Sequence, residues 1–345
     1  MHRINGLIKT AITIGIALVI GIIAILLTSS EPGNSIKQFF IGPFSNTYFF
    51  GNMIAASIPL MLTGLAASLA FSASAFNLGL EGQLYFGALV GTFLAVKMSG
   101  FPAILAIVIS IFASALAGGI IAGISGWLKA KWEVNELISS LLISYTLVYV
   151  VDYFLEGPFN DPEAGMAASP YMNSNFMLPK ILSPSDLHAG VFIAIAVIIF
   201  FYFIYKKSTV GYEMVITGRN RKFSNYSGIP VKKVIILSMC LSGSLAGLAG
   251  IIDNLGIYGR MIRGYSTGYG WNGIAVALIA RNHPLLVIPA ALLFAFLESG
   301  ANVASLMSDI TPEVARIIQS VIFYLITAEG LVSFIGKKRR EGIKT

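Results

Sequence analysis

Charge is what this sequence has least of. Asp, Glu, Lys and Arg make up 11% of its 345 residues, against about 25% in a soluble domain. So sparse a charge cannot clothe a chain of this size in a water-facing surface, which excludes a soluble fold and makes lipid the outer solvent. Cysteine is nearly absent as well. Cys240 stands alone inside an apolar run, which rules out an internal disulfide and leaves a small buried hydrophobe. The three histidines, His2, His188 and His283, fall in separate loops and offer no metal or catalytic cluster. Also missing are G-x-x-x-x-G-K-[ST], G-x-S-x-G and H-E-x-x-H. Without the first, the chain has no P-loop with which to bind ATP. The expectation is a protein with no catalytic residue, metal or cofactor of its own.

What the chain has in abundance is apolar sequence. Hydrophobic residues make up 56% of it, and its mean hydropathy is +0.80. A helix needs about 20 apolar residues to cross the hydrocarbon core. Runs of that kind lie at 11–28, 52–71, 77–96, 102–127, 135–155, 190–205, 234–256, 284–304 and 313–335, with a short one at 271–281. The short run either begins nearer Gly264 or re-enters the membrane without crossing. The reading is an all-α polytopic protein of about ten transmembrane helices, a single domain over 1–345. Ala11 to Leu27 is longer than a signal-peptide core and no A-x-A site follows, so a retained first helix is expected.

The net charge of +7 does not point to nucleic acid, because the positive residues cluster where helices end. Arg3, Lys9, Lys129, Lys131, Lys206, Lys207, Arg219, Arg221, Lys222, Lys232, Lys233, Arg281 and the 337–344 tail fall on one side. That is about seventeen against about five on the other, which puts this side and both termini in the cytoplasm. The outer loop 156–189 carries Glu156, Asp161, Glu163 and Asp186 against one lysine, and the inner loop 206–233 is basic. Loops this long in a compact bundle are often functional.

Small residues four apart (Gly87 and Gly91, Gly119 and Gly123, Gly243 and Gly247) suit close helix packing. Residues 65–70 echo 241–247 across segments of opposite sense. That is either an inverted repeat or a shared preference for small side chains. Gly268 to Gly273 spells G-x-G-x-x-G but follows a membrane helix, not a strand, so it is no dinucleotide site.

Polar groups inside apolar runs remain. Phe76-Asn77-Leu78-Gly79-Leu80-Glu81-Gly82-Gln83 opens the third span, with Glu81 in its first turn. An ionisable group there is costly and defaults to function. Capping a helix start is the equally weighted alternative. Glu298, Asn302 and Arg316 raise the same question, with snorkelling the simpler account of Arg316.

The run at 76–83 resembles the signature of permease subunits of ABC importers for nucleosides, simple sugars and branched-chain amino acids. Residues 218–229, followed by Lys232, Lys233 and the small-residue helix 241–250, resemble the cytoplasmic coupling loop of that family. Residues 270–284 look like its nucleoside branch and the longer of two paired permeases, departing at Asn272, where an acidic or aromatic residue is frequent. The resemblance covers most of 54–335. It implies a bacterial inner-membrane importer with separate ABC ATPase subunits, a second permease and an extracytoplasmic solute-binding protein or lipoprotein. It also implies ATPase coupling through Gly218, Arg219, Asn220, Ser224, Tyr226 and Gly228.

For a nucleoside, hydroxyl partners would come from Asn77, Gln83, Asn272 and Asn302, with Glu81 in the same pathway, and flat apolar faces from Phe76, Tyr269 and Trp271. An inner gate at 76–83 fits equally well. Simple-sugar import and an ion-coupled secondary transporter are the alternatives; the latter would leave the basic loop without a task. A membrane-embedded enzyme is weaker still, because no nucleophile–base pair is present.

Overall fold

The computed structural model describes residues 15–16, 18–266, 268–311, and 317, 320 and 324. The run at 313–335, Arg316, Arg3, Lys9 and the basic tail, and with them the placement of both termini, lie outside these residues. Every regular element described is helical; the one extended pairing is a pair of isolated bridges, Ala168 with Ile262 and Lys180 with His188.

In chain order the helices are α1 (Leu18–Thr28), α2 (Pro32–Ile41), α3 (Thr47–Ser72), α4 (Leu80–Lys97), α5 (Ala103–Trp132), α6 (Glu136–Glu156), α7 (Gly190–Lys207), α8 (Thr209–Arg219), α9 (Arg221–Tyr226), α10 (Val231–Asp253), α11 (Tyr269–Ile279) and α12 (Val287–Met307). Local sequence explains several starts. Asn46, Asn135, Ser208 and Asn220 each turn a side-chain oxygen onto a free N–H of the helix that follows, the usual preference at that position.

Among the described residues, six helices are long and apolar enough to cross a membrane: α3, α5, α6, α7, α10 with its extension to Tyr258, and α12 with the turn before it. The expected run at 77–96 begins as a helix only at Leu80. The short run is α11, and 11 residues rise about 16 Å, half of the ~30 Å core. It is a half-helix packed inside the bundle against α3, α4 and α12.

Burial sorts the crossing helices. The most apolar window of α3 is 89% buried and that of α7 only 17%, so α3 is the central post and α7 faces lipid. α10 packs against α5, α3 and α4. Its contact with α5 is backbone on backbone: a Cβ on Gly243 would collide with the Gly118 carbonyl oxygen. Ser114 Oγ donates to the Gly247 carbonyl at 2.7 Å. The small residues expected to serve packing do so: Gly119 and Gly123 lie against Ser244 and Cys240, and the neighbouring Gly118 lies opposite Gly243. At the end where α5, α7 and α8 finish, Lys129 pairs with Glu136 at 3.1 Å. This is the basic end of the bundle. At the other end, residues 157–189 lie over the bundle, with Ser169 N–H donating to the Met261 carbonyl and Asp186 N–H to Asn52 Oδ1.

Candidate functional site

Between α3 and α4 the chain leaves the helix and runs through 73–79 with no regular structure, wedged among α6, α10 and α8. Its polar groups are satisfied one by one. Asn77 and Gln83 exchange amide bonds, Nδ2 to Oε1 at 2.8 Å and Nε2 to Oδ1 at 3.0 Å. Asn77 also donates to Ser242 Oγ on α10 and accepts from Gly79 N–H. Leu78 N–H donates to Ser140 Oγ, and Gly82 N–H to Ser144 Oγ. Both amide residues are buried. They form a clasp holding this segment to α6 and α10, so their polar atoms are already spoken for.

Glu81 behaves differently. It lies in the first turn of α4, yet its carboxylate reaches the start of α11, accepting from Gly270 N–H at 2.7 Å and from Ser266 Oγ. A helix start offers free N–H groups and the positive end of a dipole, which an anion stabilises. Gly268, the residue before α11, has φ +89 and no capping side chain, so the cap comes from another helix. Gly270 must be glycine, because a Cβ there would strike the Glu81 backbone.

Next to this contact, the irregular stretch 259–266 is strapped to α4 and α6. Gly264 N–H donates to Tyr85 Oη at 2.7 Å, and Tyr85 donates to Asp152 at 3.0 Å. Arg263 pairs with Asp152 at 3.2 Å and with Glu156. Sequence reading passed over this network. Its signal was Asp152 and Glu156 four apart at one end of an apolar run, with Arg263 opposite.

Of the remaining expected residues, Trp271 is exposed, Asn272 half-buried beside it, and Tyr269 buried with its carbonyl accepting from Thr63 Oγ1. Phe76 is half-buried against the Phe71 ring. Asn302 is exposed on α12, apart from the Asn77 clasp.

At the basic end, α8 and α9 meet the same 73–79 segment. Ser74 Oγ donates to the Gly218 carbonyl at 2.8 Å, and Arg221 donates to the Ser74 carbonyl at 2.6 Å while pairing with Glu136 at 3.8 Å. A Cβ on Gly218 would collide with the Ser72 carbonyl oxygen. Asn220 caps α9, buried Ser224 bonds back to the Asn220 carbonyl, and Gly228, at φ +79, ends the turn. Arg219 is exposed, and Tyr226 is 92% exposed.

The sequence is also similar to that of known proteins. Residues 49–327 match the family described as branched-chain amino acid transport system / permease component. A glucose ABC transporter permease protein of Haloferax volcanii is 32% identical, over 92% of this chain and 86% of its own length. A guanosine ABC transporter permease protein of Bacillus subtilis is 31% identical, over 99% of each chain. A second guanosine ABC transporter permease protein of the same Bacillus is 23% identical, over 81% of this chain and 89% of its own.

Proposed function

The chain belongs to the branched-chain amino acid transport system permease family, and we propose that it imports a nucleoside as one of two non-identical permeases driven by separate ABC ATPase subunits. It is a multi-pass membrane protein and an ABC transporter permease. The basic end would face the cytoplasm, as would both termini, in a bacterial inner membrane. The opposite end would receive solute from a binding protein or lipoprotein.

The observation that carries the reading is the join between α8–α9 and the 73–79 segment. Gly218 and Arg221 bond directly to Ser74. Three residues on, Asn77 begins the clasp, and Glu81 then holds the start of the half-helix α11. An ATPase that moved α9 would therefore move a rigid element reaching the bundle interior. Exposed Tyr212, Phe223 and Tyr226 give α8–α9 an aromatic face suited to a protein partner. The solute would pass Glu81, Trp271 and Asn272, with Phe76 and Tyr269 as flat walls. Asn77 and Gln83 would position these from behind, and Asn302 would join across the boundary with the second permease.

Both a nucleoside and glucose are neutral and rich in hydroxyls, and the relatives named for them support that solute class. The near full-length match to a guanosine permease favours the nucleoside, and the second permeases matched in both Bacillus and Haloferax support the heteromeric pair. Uptake of radiolabelled guanosine into vesicles loaded with ATP tests this. Uptake that needs ATP and survives collapse of ion gradients is expected; uptake that follows the ion gradient would instead make the chain a secondary transporter.

A further inference from the structure

Asp253 ends α10 where the helix widens into a π-helical turn, Asn254–Tyr258. Such turns interrupt the regular backbone pairing and occur often at functional sites. Asp253 is 1% exposed, and neither of its carboxylate oxygens has a hydrogen-bond partner. Beside it, Asn254 is fully buried, held by Nδ2 to Thr92 Oγ1 at 3.1 Å, and its Oδ1 also lacks a partner. Three buried acceptor atoms on adjacent residues stand without donors, each at a cost of about 1–3 kcal/mol or more. A carboxylate in that position inside a membrane bundle defaults to function.

The surroundings are acidic and aromatic. Asp186 lies within electrostatic reach of Asp253, and Tyr258 within reach of Asp253, Asp186 and Glu298. The Tyr258 and Tyr265 rings meet edge to face at 5.5 Å. No group of three metal-ligating side chains occurs among the described residues. Tyr258 and Glu298 are half-buried, while the Asp253 and Asn254 acceptors are closed off in this conformation, so a solute meets them only when the bundle opens. The chain then turns from this point toward Glu81 and the half-helix, the broken-helix arrangement at which transporters hold solute.

We propose that Asp253 and Asn254, with Tyr258 as the aromatic wall, form a subsite that accepts hydrogen bonds from adjacent hydroxyl groups of the transported solute. A vicinal diol supplies two donors to these three acceptors without bringing charge. This rests on the hydroxyl-rich solute class proposed above, and narrows it to recognition through the sugar rather than the base.

The test uses the complete importer, this chain with its partners, in membrane vesicles loaded with ATP. Guanosine and glucose are tried first, and neither entering the wild-type vesicles would overturn the solute class and the subsite with it. For whichever enters, KM is compared with that of an analogue without adjacent hydroxyls, 2′,3′-dideoxyguanosine or 2,3-dideoxyglucose. A site built around hydroxyls favours the parent solute by about tenfold or more. Asp253→Ala should raise the parent's KM about tenfold and leave the analogue within about twofold, with Asp253→Asn in between. Uptake of the analogue shows that the variant is folded. An unchanged ratio, or loss of both solutes together, would overturn the subsite while leaving the importer reading intact.

Discussion

The Glu81 carboxylate accepts the Gly270 amide at 2.7 Å across 189 residues of sequence, making one helix's acid the cap of another. Removing the acid should loosen α11. Glu81→Ala is expected to cost about 1–2 kcal/mol, and Glu81→Gln, which keeps an acceptor, less. Thermal unfolding of the purified protein in detergent checks this order. Equal stability of all three forms would remove the cap from the account.

The Asn77–Gln83 clasp gives a prediction that separates positioning from solute contact. Asn77→Ala strands the buried Gln83 amide, so stability should fall by about 1–3 kcal/mol. KM of the protein that remains folded should stay within about twofold. A normal melting temperature with a raised KM would place Asn77 in contact with solute.

These two cases show how far sequence reached. Charge poverty and the run lengths made the helical membrane fold legible, and the basic loops located the α8–α9 end. Residue type flagged Asn77, Gln83 and Glu81 together, because polar groups in apolar runs are costly whatever they do. It could not show that the two amides satisfy each other while the acid reaches α11. That depends on 73–79 being non-helical, and its composition continues smoothly into the next span. Asp253 was passed over at the end of the apolar run 234–256, where an acid reads as a helix terminus. The π turn after it has no sequence signature.

Backbone contact between α5 and α10 predicts intolerance at Gly243. Any Cβ meets the Gly118 carbonyl, so Gly243→Ala should destabilise by about 1–3 kcal/mol and Gly243→Val by more. Detergent melting temperatures measure it. A tolerated valine would mean that the helices stand further apart.

His188, in the 157–189 segment, is fully buried, accepts from Gly190 N–H through Nδ1, and has no partner for Nε2. Burial pushes its pKa down from 6.5 to about 4, against a smaller opposing pull from Asp186. Between those values the unfolded chain binds the extra proton, so stability falls as pH drops from about 6.5 toward 4 and then levels off. The loss is on the order of 3 kcal/mol. His188→Gln should flatten that part of the pH–stability curve; an unchanged slope would assign it to other groups.

Tyr226 is 92% exposed on α9, so Tyr226→Ala should leave the melting temperature nearly unchanged, within about 0.5 kcal/mol. ATP-driven uptake should nevertheless fall several-fold through weaker ATPase attachment. Full uptake would take Tyr226 out of the docking face.

The most direct test of the central claim is purification of the tagged chain from its own membrane under mild detergent, with mass spectrometry of what stays bound. A P-loop ATPase and a second, non-identical permease are expected in the same complex. Recovery of this chain alone, from detergent that preserves other ABC importers, would contradict it.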